Sequence, residues 1–179
     1  MKKPPAAASR STRAGKPVSA SMMEMTTIVL PEDTNKFGTL FGGRLMEWID
    51  KAAAVAALRH ARMNVVTASL DSLDFLSPIG LGGIVRLVAS VNMVHRTSME
   101  VGVKVVFEDA LSGKLEHTCT AYLTLIGMDS RGRPSPVPHL LLKTSEERRR
   151  NRDAGKRREL RLGRRRPRPR KGRKTRSKN

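Results

Sequence analysis

The sequence predicts an α+β domain in which one long helix packs against a five-stranded antiparallel sheet. Residues 41–61 have the apolar spacing of a single amphipathic helix, and one strand-like segment precedes them while four follow. Connections such as "HRTS" at 95–98 are too short for the crossover that parallel strands require. The strands are therefore expected to pair antiparallel.

The helix is predicted from its one apolar stripe. At about 100° per residue, six side chains fall on one side of residues 41–61, namely Leu45, Trp48, Ile49, Ala52, Ala53 and Ala56. Glu47 and Lys51 lie on the opposite side, where they form a favourable i,i+4 pair. This pattern is typical of a helix with one buried face.

Five segments have strand character. They are "MMEMTTIVL" (22–30), "NVVTASLDSLDFLSP" (64–78), "GIVRLVASVNMV" (83–94), "MEVGVKVVFED" (99–109) and "HTCTAYLTLIG" (117–127). Alternation is clean in the fourth segment, where Met99, Val101, Val103, Val105 and Phe107 share a face. One helix covers little of a five-stranded sheet, so we expect the remaining apolar surface to drive oligomerisation.

The charge is concentrated at the two ends of the chain. The net charge is +19, of which residues 143–179 carry +15 and residues 1–20 carry +5, so the middle is close to neutral. We expect residues 1–20 to be a disordered basic arm and residues 21–138 to be the domain. Residues 139–179 are expected to be an Arg/Lys-rich tail that is mostly disordered, although its first part has the pattern of a charged helix.

Composition excludes several classes of protein. The lone cysteine, Cys119, cannot form an internal disulfide, which favours a reducing compartment. No segment resembles a signal peptide or reaches the length of a membrane span, so we expect a cytoplasmic protein. His60, His95, His117 and His139 are scattered without metal-ligand spacing, and we expect no metal site. The chain contains no GxSxG nucleophile elbow and no GxxxxGK phosphate loop.

The stretch "NKFGTLFGGRLMEWID" at 35–50 is the strongest candidate site. Gly42 and Gly43 fall at the helix start, where amides lack internal acceptors and lie at the positive end of the dipole. Such amides can bind an oxyanion, although a tight corner would also require glycine. Asp50 lies among small residues, away from the Glu47 face, and either borders solvent or faces a ligand. Together with Asn35, these groups suggest an acyl-transfer site without a serine.

Four longer stretches carry a family resemblance. "PEDTNKFGTLFGGRLMEWIDKAAAVAALRHA", "VVTASLDSLDFLSPIGLGG", "HRTSMEVGVKV" and "AYLTLIGMDSRGRPSPVP" resemble the cytosolic acyl-CoA thioester hydrolases of the hotdog fold, over about residues 22–138. The resemblance implies a long central helix wrapped by a five-stranded antiparallel sheet. It also implies homodimers at minimum, commonly assembled as trimers of dimers, with active sites at the dimer interface.

The resemblance implies hydrolysis of acyl-CoA to free fatty acid and coenzyme A. Asp50 would be the catalytic carboxylate, Asn35 its partner from the opposite protomer, and the Gly42 amide an oxyanion donor. No cofactor is needed, because coenzyme A is part of the substrate and its thiol, with a pKa of about 8.5, leaves readily. Activation of water by Asp50 and direct attack by Asp50 to form an anhydride both remain open.

Further residues are implied to bind the substrate. The Gly43 amide is a second candidate oxyanion donor, and Thr67 corresponds to a position that often lines the site. Arg96, Thr97 and Ser98 resemble a turn that contacts the coenzyme A moiety.

Two other functions remain as alternatives. A hotdog acyl-CoA hydratase or dehydratase would use a histidine near the helix carboxylate, and here the helix offers only His60. A nucleic-acid-binding protein would act through the basic tail, whose lack of aromatic residues predicts unspecific binding to phosphates or to another anionic surface.

Overall fold

A computed structural model describes residues 14–71 and 73–164 of the chain. The elements in chain order are β1 (Lys16–Pro17), a 3₁₀ helix (Val18–Ser21), β2 (Met23–Ile28), a second 3₁₀ helix (Pro31–Asp33), α1 (Gly42–Ala61), β3 (Asn64–Leu70), β4 (Ile84–His95), β5 (Ser98–Glu108), β6 (Leu115–Met128), β7 (Leu140–Leu141) and α2 (Ser145–Arg164). Within these described residues, neither helix combines the length and the apolar character that crossing a membrane requires.

The main sheet has five strands in the order β2-β4-β5-β6-β3, and every neighbouring pair is antiparallel. β2 and β3 flank α1 in sequence but lie at opposite edges of the sheet, so α1 lies across the face between them. The predicted hotdog architecture, one long helix with a five-stranded antiparallel sheet, is confirmed.

The core lies between α1 and the sheet. All six residues of the predicted helical stripe are buried, and the alanines at 52, 53 and 56 are completely inaccessible to solvent. They face strand side chains that are equally buried, including Val101, Val103 and Val105 of β5. Because alanine has a small side chain, the backbone of α1 can approach the sheet closely. The helix ends where Arg62 adopts a left-handed conformation, with φ of 51°.

The N-terminal segment differs from the expected disordered arm. Lys16–Pro17 pairs in parallel with Leu140–Leu141, and the side chain of Val18 is only 4% exposed. The Ser21 hydroxyl donates to Val18 O at 2.7 Å and accepts from Val91 N at 3.0 Å. The basic composition of the arm gave no sign of the buried Val18, and strand pairing together with the contacts of Val18 and Ser21 places residues 16–21 on the domain. Residues 1–13 of the predicted arm lie outside the described residues.

The charged helix expected in the first part of the tail is present, because Ser145–Arg164 forms a helix on the sheet face opposite α1, whereas the expectation of a mostly disordered tail does not hold for these residues. Ala154 is fully buried there. The Arg157 guanidinium pairs with the buried Glu100 carboxylate at 2.7 Å and lies 3.5 Å from the centre of the Tyr122 ring. Composition records the charge of α2 but not these partners on the sheet. Residues 165–179 lie outside the described residues.

A second ion pair links α2 to the segment after β3. Arg161 Nη1 lies 3.0 Å from each carboxylate oxygen of Asp71. Ten residues earlier on α2, Asn151 Nδ2 donates to the Asn92 carbonyl of β4 at 2.9 Å. Helix α2 is therefore part of the folded structure, held by specific polar contacts to β4, β5 and the end of β3.

Replacing Arg157 by alanine leaves the buried Glu100 carboxylate without its cation. We expect Arg157→Ala to lower the free energy of unfolding by about 3 kcal/mol. Arg152→Ala, at an exposed position of the same helix, is the matched control and should change it by less than about 0.5 kcal/mol. Urea unfolding compares the two, and equal stabilities would contradict a structural role for the α2 contact.

Candidate active site

The structure brings Asp50 and Thr67 together at one edge of the sheet. The Thr67 hydroxyl donates to Asp50 Oδ1 at 2.7 Å, and both side chains are exposed in the single chain. Large apolar side chains flank the pair. Met46, one turn earlier on α1, is 43% exposed, and Val66 on β3 is 46% exposed. The hydrogen bond fixes one carboxylate oxygen and leaves Oδ2 without a partner among the described residues.

The start of α1 presents two unpaired amides. Phe41 precedes the helix without a side-chain cap, and its own N–H donates to Asp33 O at 2.8 Å. The amides of Gly42 and Gly43 have no acceptor among the described residues, as expected for the first turn of a helix. They lie at the positive end of the α1 dipole and can donate to an external oxygen atom.

Asn35 orders the loop that leads into α1. Its Oδ1 accepts from Phe37 N at 2.8 Å, and its Nδ2 donates to Thr39 Oγ1 at 3.0 Å. Its backbone N–H also donates to Thr39 O at 2.8 Å. The side chain is half-buried. Its hydrogen bonds stabilise the loop that leads into the start of α1.

A pocket of about 270 Å³ opens beside Gly42. Its lining is mostly apolar and consists of Leu40, Gly42, Leu45, Phe75, Leu76, Ser77, Pro78, Ile79 and Thr118. A Cβ on Gly42 would lie 3.4 Å from the Phe75 ring, in ordinary van der Waals contact, so Gly42 directly adjoins this wall of the pocket. Gly43 lines a different groove, together with Arg44 and Glu47. Of the two glycines, Gly42 is the one that faces the pocket.

The strand expected over residues 64–78 is too long, because β3 ends at Leu70, and the pocket wall that residues 75–79 form instead was not predicted. Phe75 and Leu76 are exposed large apolar residues in a segment without regular secondary structure, and no periodicity marks such a segment in a sequence. Leu76 N donates to Thr118 O at 3.1 Å, and Leu40 N donates to Ile79 O at 2.7 Å. These two hydrogen bonds hold the segment against β6 and against the loop before α1.

One chain does not bring all the predicted groups to one point. Asp50 is eight residues beyond Gly42 on the same helix, which corresponds to about 12 Å along its axis. The predicted turn Arg96–Ser98 lies near the other end of α1, because Arg96 O accepts from Val137 N at 3.1 Å and the neighbouring Pro138 O lies 2.9 Å from His60 Nε2. Asp50 pairs with Thr67, and Asn35 lies near Gly42. Within one chain, the Asp50–Thr67 pair is separate from the region of Asn35 and Gly42.

The remaining reactive side chains are structural. Cys119 is buried in the core, and burial raises the pKa of its thiol to about 11, so it is a poor nucleophile. His60 is buried, and its Nε2 is the group that contacts Pro138 O. Burial lowers the pKa of His60, and nearby Lys16 and His139 lower it further, so its ring is neutral at pH 7. Among the described residues, no three His, Cys, Asp or Glu side chains are grouped to hold a metal ion.

The buried His60 predicts a loss of stability in mild acid. Its pKa is lower in the folded than in the unfolded protein, so the unfolded chain binds more protons as pH falls through about 6.5. We therefore expect the thermal midpoint to fall between pH 7.5 and pH 5.5, and to fall less in His60→Gln. His117→Gln, at an exposed histidine, should keep the wild-type slope. Equal slopes for His60→Gln and wild type would contradict this assignment.

Comparisons with known proteins show which family this chain resembles. The thioesterase superfamily model matches residues 37–113. An uncharacterized acyl-CoA thioester hydrolase of Bacillus subtilis, YkhA, is 47% identical over 127 residues, which is 71% of this chain and 74% of that protein. The crystal structure of an apo-hexameric acyl-CoA thioesterase has a TM-score of 0.81 and 42% identity, covering 84% of this chain and 97% of that chain.

A third relative has been solved with ligands bound. The acyl-CoA hydrolase of Staphylococcus aureus, in complex with butyryl coenzyme A, coenzyme A and coenzyme A disulfide, has a TM-score of 0.78 and 40% identity. The match covers 83% of this chain and 91% of that one. Three single variants of the same hydrolase, in which an Asn, an Asp or a Thr is replaced by alanine, have also been solved and are similar to this chain. The chain belongs to the thioesterase superfamily and, within it, to the acyl-CoA thioester hydrolases.

Proposed function

We propose that this chain hydrolyses acyl-CoA thioesters in a site shared by two protomers. One protomer supplies the Gly42 amide and Asn35, and the other supplies Asp50 oriented by Thr67. The separation of Gly42 and Asp50 along α1 carries this proposal. A donor to the thioester oxygen and a base for the attacking water must both lie within about 3 Å of the reacting groups, and two points about 12 Å apart cannot meet that requirement.

The edge strand β3 offers the surface for the second protomer. Among the described residues it pairs with β6 alone, and it has exposed apolar side chains such as Val66 and Leu70. An unpaired, partly apolar edge is a template for a strand from another chain. Pairing of β3 with its copy around a twofold axis would continue the sheet and place two α1 helices side by side in opposite directions.

The exposed Met46 fits such an axis. Met46 lies midway between Gly42 and Asp50 on α1 and is 43% exposed in the single chain. In two antiparallel helices related by an axis at residue 46, residue 50 of one lies opposite residue 42 of the other. The same twofold operation generates two equivalent sites, each with groups from both chains.

The chemistry of the shared site is addition of water followed by loss of the thiol. The Gly42 amide and the α1 dipole would stabilise the oxyanion formed at the thioester carbonyl. Asp50 would take a proton from a water that Asn35 positions, while Thr67 holds Oδ1 and leaves Oδ2 towards that water. The carbon–sulfur bond then breaks, giving the free acid and coenzyme A. Direct attack by Asp50, with an anhydride intermediate, is the competing route.

The spacing of the substituted residues in the S. aureus hydrolase supports these assignments. Its variant asparagine, aspartate and threonine are 15 and 17 residues apart, as are Asn35, Asp50 and Thr67. That hydrolase binds butyryl coenzyme A, and other similar thioesterases are hexamers. We extend to this chain an acyl-CoA substrate and assembly as a trimer of dimers. A cytosolic thioester hydrolase of mouse is 31% identical, and we propose a cytoplasmic location.

The coenzyme A moiety would contact residues from the far end of α1. Arg96 is exposed, and Thr97 and Ser98 are half-buried in the tight turn between β4 and β5. With antiparallel α1 helices, this turn of one protomer lies on the same side as the Gly42 end of the other. Arg96 can then pair with a phosphate, and the two hydroxyls can donate to one. The Gly43 amide stays a second candidate donor to the substrate.

Asp50→Asn tests the catalytic carboxylate directly. Asparagine keeps the shape of the side chain but cannot accept a proton from water, so we expect kcat to fall at least about 100-fold. Glu47→Gln, at a carboxylate three residues earlier on the same helix that pairs with Lys51, is the matched control and should keep nearly full activity. Release of coenzyme A measured with a thiol reagent compares them. Full activity of Asp50→Asn would overturn the proposal.

Mixing two inactive variants tests the shared site. Asn35→Ala and Asp50→Ala protomers are purified separately, dissociated, mixed and reassembled. Half of a random mixture of dimers is mixed, and each mixed dimer regains one intact site of two, so about a quarter of wild-type activity should return. Reassembly of each variant alone is the control. Verified mixed dimers without activity would show that the two residues do not act across the interface.

A further inference from the structure

Thr118 occupies an irregular position in β6. Val105 of β5 pairs with Cys119 and Val106 pairs with His117, so Thr118 is the extra residue of a β-bulge. Bulges redirect side chains and often occur next to active sites. Here the bulge interrupts the alternation of β6, and Thr118 lines the pocket beside Gly42 although it precedes the core residue Cys119.

The Thr118 hydroxyl is buried without a partner. The residue is 1% exposed, and its Oγ1 has no hydrogen bond among the described residues. The backbone carbonyl of Thr118, in contrast, accepts a hydrogen bond from Leu76 N and so holds the pocket wall. A buried hydroxyl without a partner is unfavourable, and native structures nearly always satisfy such groups. The missing partner is therefore expected to be something that enters the pocket.

A trapped water is a poor candidate for that partner. A buried water typically makes two to four hydrogen bonds. Besides Thr118, the polar groups along the pocket are the Ser77 side chain and the unpaired Gly42 amide, and in the proposed function the thioester oxygen occupies the Gly42 amide. An oxygen attached to the ligand needs only one such contact, because the apolar walls bind the rest of the ligand.

We propose that Thr118 hydrogen-bonds an oxygen atom on the acyl chain, so that the preferred substrates are acyl-CoAs with a hydroxyl or keto oxygen on that chain. This proposal rests on the function proposed above, in which the pocket beside Gly42 receives the acyl chain. The hydroxyl of Thr118 can donate to a keto oxygen and can donate to or accept from a hydroxyl. Thr118 is thus a specificity-determining residue and takes no part in the proton transfer by Asp50.

The test compares acyl-CoAs of one chain length that are saturated, 3-hydroxylated or 3-keto. We expect wild-type kcat/KM to favour an oxygenated chain about tenfold, as one hydrogen bond in an apolar pocket allows. Thr118→Val, which has nearly the same shape, should remove this preference by lowering kcat/KM for the oxygenated substrates. Thr118→Ser should retain the preference.

Thr124→Val is the matched control. Thr124 lies on the same strand and also has a buried hydroxyl without a partner among the described residues, but it does not line this pocket. Its substitution should leave the preference unchanged. Thermal unfolding of the two valine variants confirms that each is folded at the assay temperature.

The outcomes separate this proposal from the catalytic one. A wild-type enzyme without preference for the oxygenated chains, or a Thr118→Val variant that keeps the preference, overturns the role of Thr118. Either result leaves the proposed hydrolysis standing if the saturated substrate is cleaved and Asp50→Asn abolishes that cleavage. Absence of cleavage for every acyl-CoA would instead overturn the proposed function.

Discussion

The close packing of α1 on the sheet is the constraint on which the rest of the structure depends. Ala52, Ala53 and Ala56 are fully buried, so the helix backbone lies directly against the strands. Shifting such a helix along its axis would drive larger side chains into the β-branched surface of the sheet. The two candidate catalytic groups, the Gly42 amide and the Asp50 carboxylate, therefore lie on one rigid helix at a fixed separation.

That rigidity leaves the single chain incomplete as a catalyst. The groups expected to act on one carbonyl are held apart along α1, and the carboxylate is exposed beside β3, an edge strand with exposed apolar side chains. A buried catalytic carboxylate without a partner would oppose folding of the monomer, because a desolvated charge is costly. Placing Asp50 at the surface, with only the Thr67 hydroxyl to orient it, avoids that cost until a second chain covers the site.

The outer face of the sheet, opposite α1, is covered by a different kind of contact. It is polar, and α2 covers it through ion pairs and side-chain contacts where α1 uses apolar packing. The pair of Glu100 with Arg157 joins positions 57 residues apart, and that of Asp71 with Arg161 joins positions 90 residues apart. Because Asp71 follows β3 and precedes the pocket wall, α2 also anchors one end of the segment that encloses the pocket.

The sequence by itself determined the elements whose patterns are local. The apolar period of α1 and the alternation of β5 reflect the geometry of each backbone, and the residues they placed on one face are buried except Phe107, which is partly buried. Only the tertiary structure decided the order of residues 16–21, the position of α2 and the bulge that turns Thr118 into the pocket. Each of these depends on a partner far away in the chain, such as Val91 for Ser21 or Glu100 for Arg157, and no local pattern in a sequence records such a pairing.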